Sequence, residues 1–278
     1  MKRILTIQDI SCIGKCSVTA ALPILSVMGI ETAILPTAVL SAHTAFASYT
    51  FHDLTSEMPA IIADWKAQGI TFDAIYTGYL GSIAQVSIVE SLLSQFRTED
   101  TLLFVDPVLG DFGRLYSGFS MDFPHHMKRL CKAADVIVPN LTEACCMLDI
   151  PYPDDGYTDT EICRILQGLA GFGAKQVILT GVSFADDSVG FMGYDAVRSE
   201  YFSYFHQKFP QQFHGTGDVF ASTCAGGLLR GLSLEASACL AEDFTLECIR
   251  KTCAAPDQRW YGVHYEAAFP FLIHRLYP

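Results

Sequence analysis

The feature that most constrains the fold of this chain is a regular alternation of short apolar segments with longer helical patterns. Each apolar segment is rich in Ile, Val or Leu and is bounded by polar residues, glycine or proline. Continuous apolar runs of this kind are typical of strands that are buried on both faces of a parallel sheet. The predicted strands cover residues 4–7, 32–35, 74–76, 102–105, 136–138 and 177–179.

Helical patterns fill the intervals between these strands, and the rhythm changes in the last third of the chain. The helix at 159–171 is the best supported, because Thr158 and Glu161 have the spacing of a capping box. Segments 188–194 and 198–205 alternate around a short turn, which predicts an antiparallel hairpin. The other predicted helices cover residues 17–28, 58–68, 83–96, 127–133, 142–148, 219–230 and 234–252.

This order of strands and helices predicts a doubly wound α/β fold with right-handed crossovers. We expect a mostly parallel central sheet flanked by helices, with the antiparallel hairpin at one edge. No linker or repeat interrupts the sequence, so residues 1–278 are predicted to form a single domain. Ligands of such sheets bind beyond the carboxyl ends of the strands, and the segments there are the candidates for the site.

Composition and charge argue against several classes of function. Half of the residues are hydrophobic, which argues against a disordered chain. The formal net charge of -12 argues against a nucleic-acid partner, which needs a basic face. The most apolar stretch, at 18–30, is shorter than a membrane span, and no signal peptide is visible, so we expect a cytoplasmic protein without a membrane partner. The ten cysteines include no C-x-x-C pair that would begin a zinc site.

The loop after the first strand resembles a phosphate-binding P-loop but lacks two of its defining residues. Asp9 stands where the first glycine of G-x-x-x-x-G-K-[ST] belongs, and Cys16 replaces the hydroxyl that binds magnesium. A carboxylate at position 9 would also repel a phosphate. We therefore expect this loop to face an uncharged substrate instead of a phosphate group.

The strongest candidate motif is the segment His214-Gly215-Thr216-Gly217-Asp218, which leads into a predicted helix. Its glycines allow backbone N–H groups to converge, and the helix N-terminus adds partial positive charge, so the segment can bind an anion. Asp218 lies within reach of whatever binds there. The segment also fits an ordinary glycine-rich turn with an Asp placed favourably for the helix dipole, and alone it does not distinguish the two.

Two further motifs that carry carboxylates follow neighbouring strands. Asp106 directly follows the strand at 102–105, where a carboxylate can hold a hydrated magnesium ion, although Asp-Pro-Val-Leu-Gly-Asp also fits a plain turn. Asn140 and Glu143 follow the strand at 136–138 and could both point towards a metal–phosphate group. Capping of the next helix by Asn140, with Glu143 in its first turn, is the simpler interpretation.

Hydroxyl and imidazole side chains follow two other strands. They include His43 and Thr44 in one segment, and Tyr79 in the segment Thr-Gly-Tyr-Leu-Gly-Ser. We interpret His43 as a hydrogen-bonded histidine without a catalytic task, which leaves a role in binding open. G-x-S-x-G and H-E-x-x-H are absent, and Phe220 stands where G-x-G-x-x-G needs its third glycine, so dinucleotide binding is poorly supported.

Taken together, the order and spacing of these motifs resemble the ribokinase superfamily and, within it, the pyridoxal kinase group. The Gly-Thr-Gly-Asp element marks the superfamily. The Thr-Gly-Tyr-Leu-Gly-Ser and Asp-Pro-Val-Leu-Gly-Asp elements point more narrowly to vitamin B6 kinases. The matching segments are residues 41–44, 77–82, 106–111, 139–143, 180–181 and 215–218.

The resemblance implies an ATP-dependent kinase that phosphorylates the 5′-hydroxymethyl group of pyridoxal, pyridoxine or pyridoxamine. Asp218 resembles the base that takes the proton from this group. Gly215, Thr216 and Gly217 resemble the anion hole around the transferring phosphoryl group. The implied substrate-binding residues are Asp9, His43, Thr44, Tyr79 and Asp218.

On the nucleotide side, the resemblance implies ATP, Mg²⁺ and a mobile flap at 111–119. Asp106 and Glu143 resemble metal positions, and Thr180 resembles a hydroxyl near the phosphates. The resemblance also implies a homodimer and leaves open a monovalent cation. The implied nucleotide-binding residues are Asp106, Tyr116, Asn140, Glu143, Thr180 and Gly181.

The sequence departs from the family in the implied ring pocket. Asp9 stands where many pyridoxal kinases carry Ser against the pyridine ring, Lys15-Cys16 replaces a Gly-Asn pair, and segment 45–48 is not glycine-rich. Asp9 could pair with a protonated ring nitrogen or a substrate amine, which would favour pyridoxamine. The alternatives are a hydroxymethylpyrimidine kinase of thiamine biosynthesis and a non-catalytic sensor of nucleotide or vitamer.

Overall fold

The computed structural model describes residues 1–277, which form strands and helices in the predicted alternation. The strands are β1 (Arg3–Ser11), β2 (Glu31–Leu40), β3 (Phe51–Asp53), β4 (Ala74–Thr77), β5 (Leu102–Val105), β6 (Gly110–Asp111), β7 (Arg114–Leu115), β8 (Val136–Ile137), β9 (Gln176–Ala185), β10 (Ser188–Asp195) and β11 (Glu200–Gln207). The helices are α1 (Ser17–Val27), α2 (Met58–Ala67), α3 (Ile83–Phe96), α4 (Phe123–Ala133), α5 (Leu141–Leu148), α6 (Asp159–Ala170), α7 (Thr216–Leu229), α8 (Leu234–Ala254) and α9 (Tyr265–Leu276).

The chain divides into two compact units, and the candidate residues fall into two corresponding groups. The first unit contains the segment with Asp9, the segment with His43 and the Gly-Thr-Gly-Asp motif. The second unit contains Tyr79 and the motifs with Asp106 and Glu143. The first unit comprises Met1–Tyr76, Leu92–Thr101 and the residues from Gln211 onwards, and the second comprises Thr77–Ser91 and Leu102–Pro210.

The first unit is built from strands covered by helices. Its strand order is β4-β1-β2-β3, in which β1 and β2 are parallel and β3 is antiparallel to β2. Ile4, Leu5 and Ile7 of β1 are fully buried, as expected for a strand that is covered on both faces. Helix α1 packs on β1 and on α7, and α7 packs on α8. The loop that leaves β1 therefore enters α1 close to the helix that carries Asp218.

The second unit has the strand order β11-β10-β9-β8-β5. Strands β5, β8 and β9 run parallel, whereas β10 is antiparallel to both β9 and β11. Helix α5 packs against α4, α6 and β9, and β6 and β7 form a separate two-stranded ribbon. Because β5, β8 and β9 are parallel neighbours, the segments that follow them lie at one edge.

The predicted architecture is confirmed: the strands are mostly parallel, helices flank them, and β10 and β11 form the antiparallel hairpin. The sequence did not predict α9, β3 or the β6–β7 ribbon. Pro270 lies inside α9, as Pro23 lies inside the predicted helix α1, so an interior proline does not by itself exclude a helix here. No helix within residues 1–277 is long and apolar enough to cross a membrane.

Candidate active site

Helix α7 places Asp218 in its first turn, and the glycine before that turn is required by the local geometry. The N-cap residue Gly215 has φ 78° and ψ 3°, a left-handed conformation that favours glycine. A Cβ atom at this position would lie 1.9 Å from the carbonyl oxygen of Lys15. Gly215 therefore lets the loop after β1 approach the start of α7.

The space beside Gly217 is open. This glycine is exposed, and a Cβ atom placed on it would meet no heavy atom within 4 Å. The first N–H groups of a helix lack partners inside the helix, and the helix dipole adds partial positive charge there. Thr216 Oγ1 donates to the carbonyl oxygen of Phe213 at 3.3 Å, which tightens the turn. The N-terminus of α7 therefore has both the donors and the room that an anion requires.

The carboxyl group of Asp218 lies in surroundings that disfavour its charge. Burial is the main cause that raises the pKa of Asp218 to about 7, and the neighbouring Asp9 carboxylate acts in the same direction. Hydrogen bonds with backbone groups of Ser17 and of Asp218 itself oppose this shift. Part of the residue nevertheless remains accessible. A carboxyl group with a near-neutral pKa on a partly accessible residue is suited to accept a proton at physiological pH.

Asp9, two residues before the end of β1, is the second carboxylate of this group. It is 5% exposed, its Oδ1 accepts a hydrogen bond from Ser17 Oγ at 2.5 Å, and its Oδ2 accepts one from Ser11 Oγ at 2.9 Å. Burial raises the pKa of Asp9, although both hydroxyls stabilise the charged form. Ser17 thus contacts both carboxylates, Asp9 through its hydroxyl and Asp218 through its backbone.

Ser11 and Ser17 are site residues that the motif analysis missed. Ser17 has φ 50°, a left-handed conformation that costs a non-glycine residue about 1–2 kcal/mol. Strained backbone of this kind concentrates at functional sites. The only signal in the sequence was their position: Ser11 ends β1 and Ser17 begins α1, on either side of the loop between them.

His43 is held by two hydrogen bonds. Its Nδ1 accepts from the backbone N–H of Ala45 at 3.2 Å, so Nε2 carries the proton and donates to the carbonyl oxygen of Tyr261 at 3.0 Å. Burial is the main cause that lowers the pKa of His43. The interpretation of His43 as a hydrogen-bonded histidine is confirmed, and the adjacent Thr44 is exposed.

In the second unit, Asn140 and Glu143 form a capping box at the start of α5. Asn140 Oδ1 accepts from the Glu143 N–H at 3.0 Å, and Glu143 Oε2 accepts from the Asn140 N–H at 2.8 Å. Glu143 Oε1 accepts from the Leu109 N–H at 2.8 Å, and Asn140 Nδ2 donates to the Gly110 carbonyl oxygen at 2.9 Å. The box therefore confirms the capping interpretation and also fixes the loop after β5.

Glu143 is only 3% exposed, and its carboxyl group is hydrogen-bonded to this loop. Burial is the main cause that raises the pKa of Glu143 to about 7. Hydrogen bonds from Asn140 and Leu109 oppose that shift, while the Asp111 carboxylate adds to it. Both carboxylate oxygens of Glu143 therefore already accept hydrogen bonds from backbone N–H groups.

The other nucleotide-side candidates follow adjacent strands of the second unit. Asp106 comes directly after β5 and is half-buried. Thr180 lies in β9 and forms a parallel bridge with Asn140, which follows β8. Gly181, next to Thr180, has φ 71° and is exposed. The strand order therefore brings Asp106, Asn140, Glu143 and Thr180 to the same edge.

The predicted flap contains the β6–β7 ribbon. A Cβ atom on Gly110 would lie 2.2 Å from the carbonyl oxygen of Arg114, so the ribbon needs a glycine at this position. Tyr116, which follows the ribbon, is 41% exposed. The ring of Phe119 lies 5.7 Å from the ring of Tyr79, so this candidate residue packs against the flap segment.

Comparison with known proteins assigns the chain to a family. A family model described as phosphomethylpyrimidine kinase matches residues 14–261. The chain belongs to this family. The matched range contains every candidate residue except Asp9.

Relatives of known structure cover nearly the whole chain. A protein from Bacteroides thetaiotaomicron, assigned as a phosphomethylpyrimidine kinase and crystallised with pyridoxal, is 41% identical, with a TM-score of 0.93 over 98% of this chain and 95% of that one. Pyridoxal kinase from Lactobacillus plantarum is 32% identical, with a TM-score of 0.90 over 99% of this chain and 98% of that one. Pyridoxal kinase from Arabidopsis thaliana is 25% identical over 81% of this chain and 73% of its own. The resemblance to pyridoxal kinases of the ribokinase superfamily is thereby confirmed.

Proposed function

We propose that this chain uses ATP to phosphorylate the 5′-hydroxymethyl group of the B6 vitamers pyridoxal, pyridoxine and pyridoxamine. The observation that carries the proposal is the Asp218 carboxylate, with a pKa of about 7, beside the open N-terminus of α7. The substrate class follows from the relative crystallised with pyridoxal and from the relatives named as pyridoxal kinases. We further propose that residues 1–278 act as one catalytic domain.

Asp218 is the proposed base. Its carboxylate accepts the proton of the substrate alcohol as the alcohol oxygen bonds to the γ-phosphorus of ATP and the bond from that phosphorus to ADP breaks. The N–H groups of Gly215, Thr216 and Gly217 stabilise the negative charge on the transferring phosphoryl group. Preorganised donors of this kind contribute about 3–4 kcal/mol each in comparable sites.

The second unit supplies the proposed nucleotide side. Asp106 is a half-buried carboxylate at a strand end and fits Mg²⁺, which takes one or two carboxylates and completes its shell with water and phosphate oxygens. Glu143 would support the same ion through water, because both of its oxygens already accept backbone N–H groups. The ion would neutralise charge on the phosphates. The proposed nucleotide-binding residues are Asp106, Tyr116, Asn140, Glu143, Thr180 and Gly181.

Asp9, His43, Thr44 and Tyr79 are the proposed ring-binding residues. Each Asp9 oxygen accepts one serine hydroxyl and the carboxylate also accepts its own backbone N–H, which leaves it acceptor capacity for a cationic group of the substrate. We therefore propose that Asp9 favours pyridoxamine or a protonated pyridine ring. If an Asp9→Ser variant shows the same order of preference for the three vitamers as the parent chain, this hypothesis is wrong.

The decisive experiment is a substrate panel with coupled detection of ADP. It contains the three vitamers and hydroxymethylpyrimidine, because the matching family is described by a pyrimidine kinase. ADP release with the vitamers supports the proposal, and release with hydroxymethylpyrimidine alone supports the thiamine-pathway alternative. No release with any compound identifies a non-catalytic sensor. Repeating the assay with and without Mg²⁺, and with Na⁺ or K⁺, tests the metal and the monovalent cation.

The homodimer and the cytoplasmic location remain predictions. Light scattering of the purified chain should give twice the mass of 30.5 kDa that one chain has. Fractionation of the source cells tests the location. A monomeric mass would contradict the predicted homodimer and would leave the proposed chemistry unaffected.

A further inference from the structure

Aromatic rings from three distant segments of the first unit converge at the start of α7. The ring centroids of Phe46 and Trp260 are 4.6 Å apart, and those of His43 and His214 are 5.2 Å apart. His214 also lies 6.3 Å from Trp260. These spacings fall within the range of favourable aromatic pairs. The ring cluster comprises His43, Phe46, His214, Trp260 and Tyr261.

His43 links two of these segments. Its two ring nitrogens bond to the Ala45 N–H and to the Tyr261 carbonyl oxygen, so neither nitrogen is left to form a hydrogen bond with a ligand, and His43 would contact a ligand only through its ring. The rings of Phe46 and Tyr261 are 5.6 Å apart across the same junction. His43 therefore holds the segment with Phe46 against the segment with Trp260.

The ring cluster borders the loop that contacts the proposed base. A Cβ atom on Gly14 would lie 2.5 Å from His43 Cδ2, and one on Gly262 would lie 2.5 Å from Lys15 Cβ. The carbonyl oxygen of Lys15 is also the atom against which Gly215 packs. Such close packing of three glycines fixes the ring cluster relative to the turn that precedes the base.

Core packing does not account for Trp260. It is 57% exposed although it contacts several rings, whereas the other tryptophan, Trp65, is half-buried against Phe72. A large aromatic side chain that stays accessible beside a reaction centre is well placed to bind a flat ligand.

We propose that Phe46 and Trp260 form an aromatic wall against which the pyridine ring of the vitamer packs, so that its hydroxymethyl group is positioned for Asp218. This inference rests on the proposed function and adds two substrate-positioning residues to it. The three vitamers share the ring and differ in one substituent. The wall therefore contributes equally to all three, in contrast to the charge of Asp9.

The test compares Trp260→Ala with the parent chain in steady-state assays. We expect the KM for each of the three vitamers to rise about tenfold, which is the order of the energy of an aromatic pair. The KM for ATP and the kcat at saturation should stay close to the parent values, and Trp260→Phe should restore most of the vitamer affinity. Calorimetry with pyridoxine alone should give a parallel rise in Kd. Phe51→Ala, which removes another exposed ring of the same unit, is the control and should change none of these values.

Unchanged KM and Kd values in a folded Trp260→Ala variant would overturn the aromatic wall and leave the proposed function intact. Unequal effects on the three vitamers would also overturn it. If circular dichroism shows that Trp260→Ala is unfolded, Trp260→Leu and Phe46→Ala carry the same test. A parent chain that neither binds nor phosphorylates any vitamer would instead overturn the proposed function itself.

Discussion

Asp218 in the first unit and Glu143 in the second are both carboxyl groups whose pKa is raised to about 7, chiefly by burial. Glu143 is almost fully buried, and its two oxygens accept the N–H groups of Leu109 and Asn140. Asp218 keeps part of its surface accessible at an open helix N-terminus and has the Asp9 carboxylate as its neighbour. A raised pKa alone therefore does not identify a base, because the hydrogen-bond partners decide what the carboxyl group can still do.

Glu143 and Asp218 also differ in how they affect the stability of the fold. Hydrogen bonds to a charged acceptor contribute about 1.5–3 kcal/mol each, so Glu143 stabilises the loop after β5. The surroundings of Asp218 disfavour its charged form and lie beside the strained backbone of Ser17. Groups that are placed against local stability in this way are typical of sites that are shaped by function.

Of the substitutions that test the difference between Asp218 and Glu143, Asp218→Asn should have the largest effect. We expect kcat with pyridoxal to fall about 10²–10⁴-fold, the usual contribution of a general base, while thermal unfolding shows a folded chain. Asp159→Asn is the matched control, because Asp159 also lies in the first turn of a helix, and it should keep normal activity. Near-normal turnover of Asp218→Asn would refute the base assignment.

Gly217→Ala, in the same turn, should lower activity without affecting folding. A methyl group at Gly217 meets no protein atom within 4 Å, so the variant should fold normally. The methyl group would occupy space that the phosphoryl group needs, and we expect kcat to fall roughly tenfold or more. Gly215→Ala should instead lower the unfolding temperature, because its Cβ atom would lie 1.9 Å from the Lys15 carbonyl oxygen. Equal kcat values for Gly217→Ala and the parent chain would argue against an anion at this turn.

Glu143→Gln should lower the stability of the folded chain, in contrast to Gly217→Ala, which should fold normally. The amide NH₂ of glutamine would face a backbone N–H that now donates to Glu143, which should cost about 1–3 kcal/mol in the free energy of unfolding. Glu161→Gln changes the same position in the exposed capping box of α6 and should cost less, because solvent screens this pair of hydrogen bonds. Denaturant titration of both variants checks this difference. Equal losses in the two variants would show that burial of the Glu143 box adds nothing.

Asp9→Asn should produce the smallest change, a shift in the pH dependence of turnover. The Asp9 carboxylate raises the pKa of Asp218, so its removal should lower that pKa and move the acid limb of kcat/KM to lower pH. Comparison of the variant with the parent chain on the same vitamer removes the titration of the substrate. A shift to higher pH would contradict the coupling of the two carboxylates.

The fold could be predicted largely from the sequence because its strands are buried on both faces. The apolar run at 4–7 and the capping box of Thr158 and Glu161 each specify their element locally. Helix α9 could not be predicted in the same way, because it owes its position to packing on α8, which is tertiary structure.

The site was predictable only where one segment carries the chemistry. Gly-Thr-Gly-Asp indicated the position of Asp218 because the turn and the carboxylate are adjacent in the chain. The bridge from Asp9 through Ser17 to Asp218 depends on two segments that are more than 200 residues apart, and Trp260 meets Phe46 across a similar separation. Tertiary packing brings such pairs together, and no local pattern encodes them.

The pH profile of kcat/KM for the parent chain, measured with a vitamer at saturating ATP, tests the central claim most directly. The pKa of Asp218 is raised from its ordinary value of 3.8 to about 7, so the carboxylate becomes protonated, and unable to accept the alcohol proton, as the pH falls below 7. We predict that kcat/KM falls about tenfold per pH unit below pH 7. A profile that stays flat down to pH 5 would contradict the assignment of Asp218 as the base.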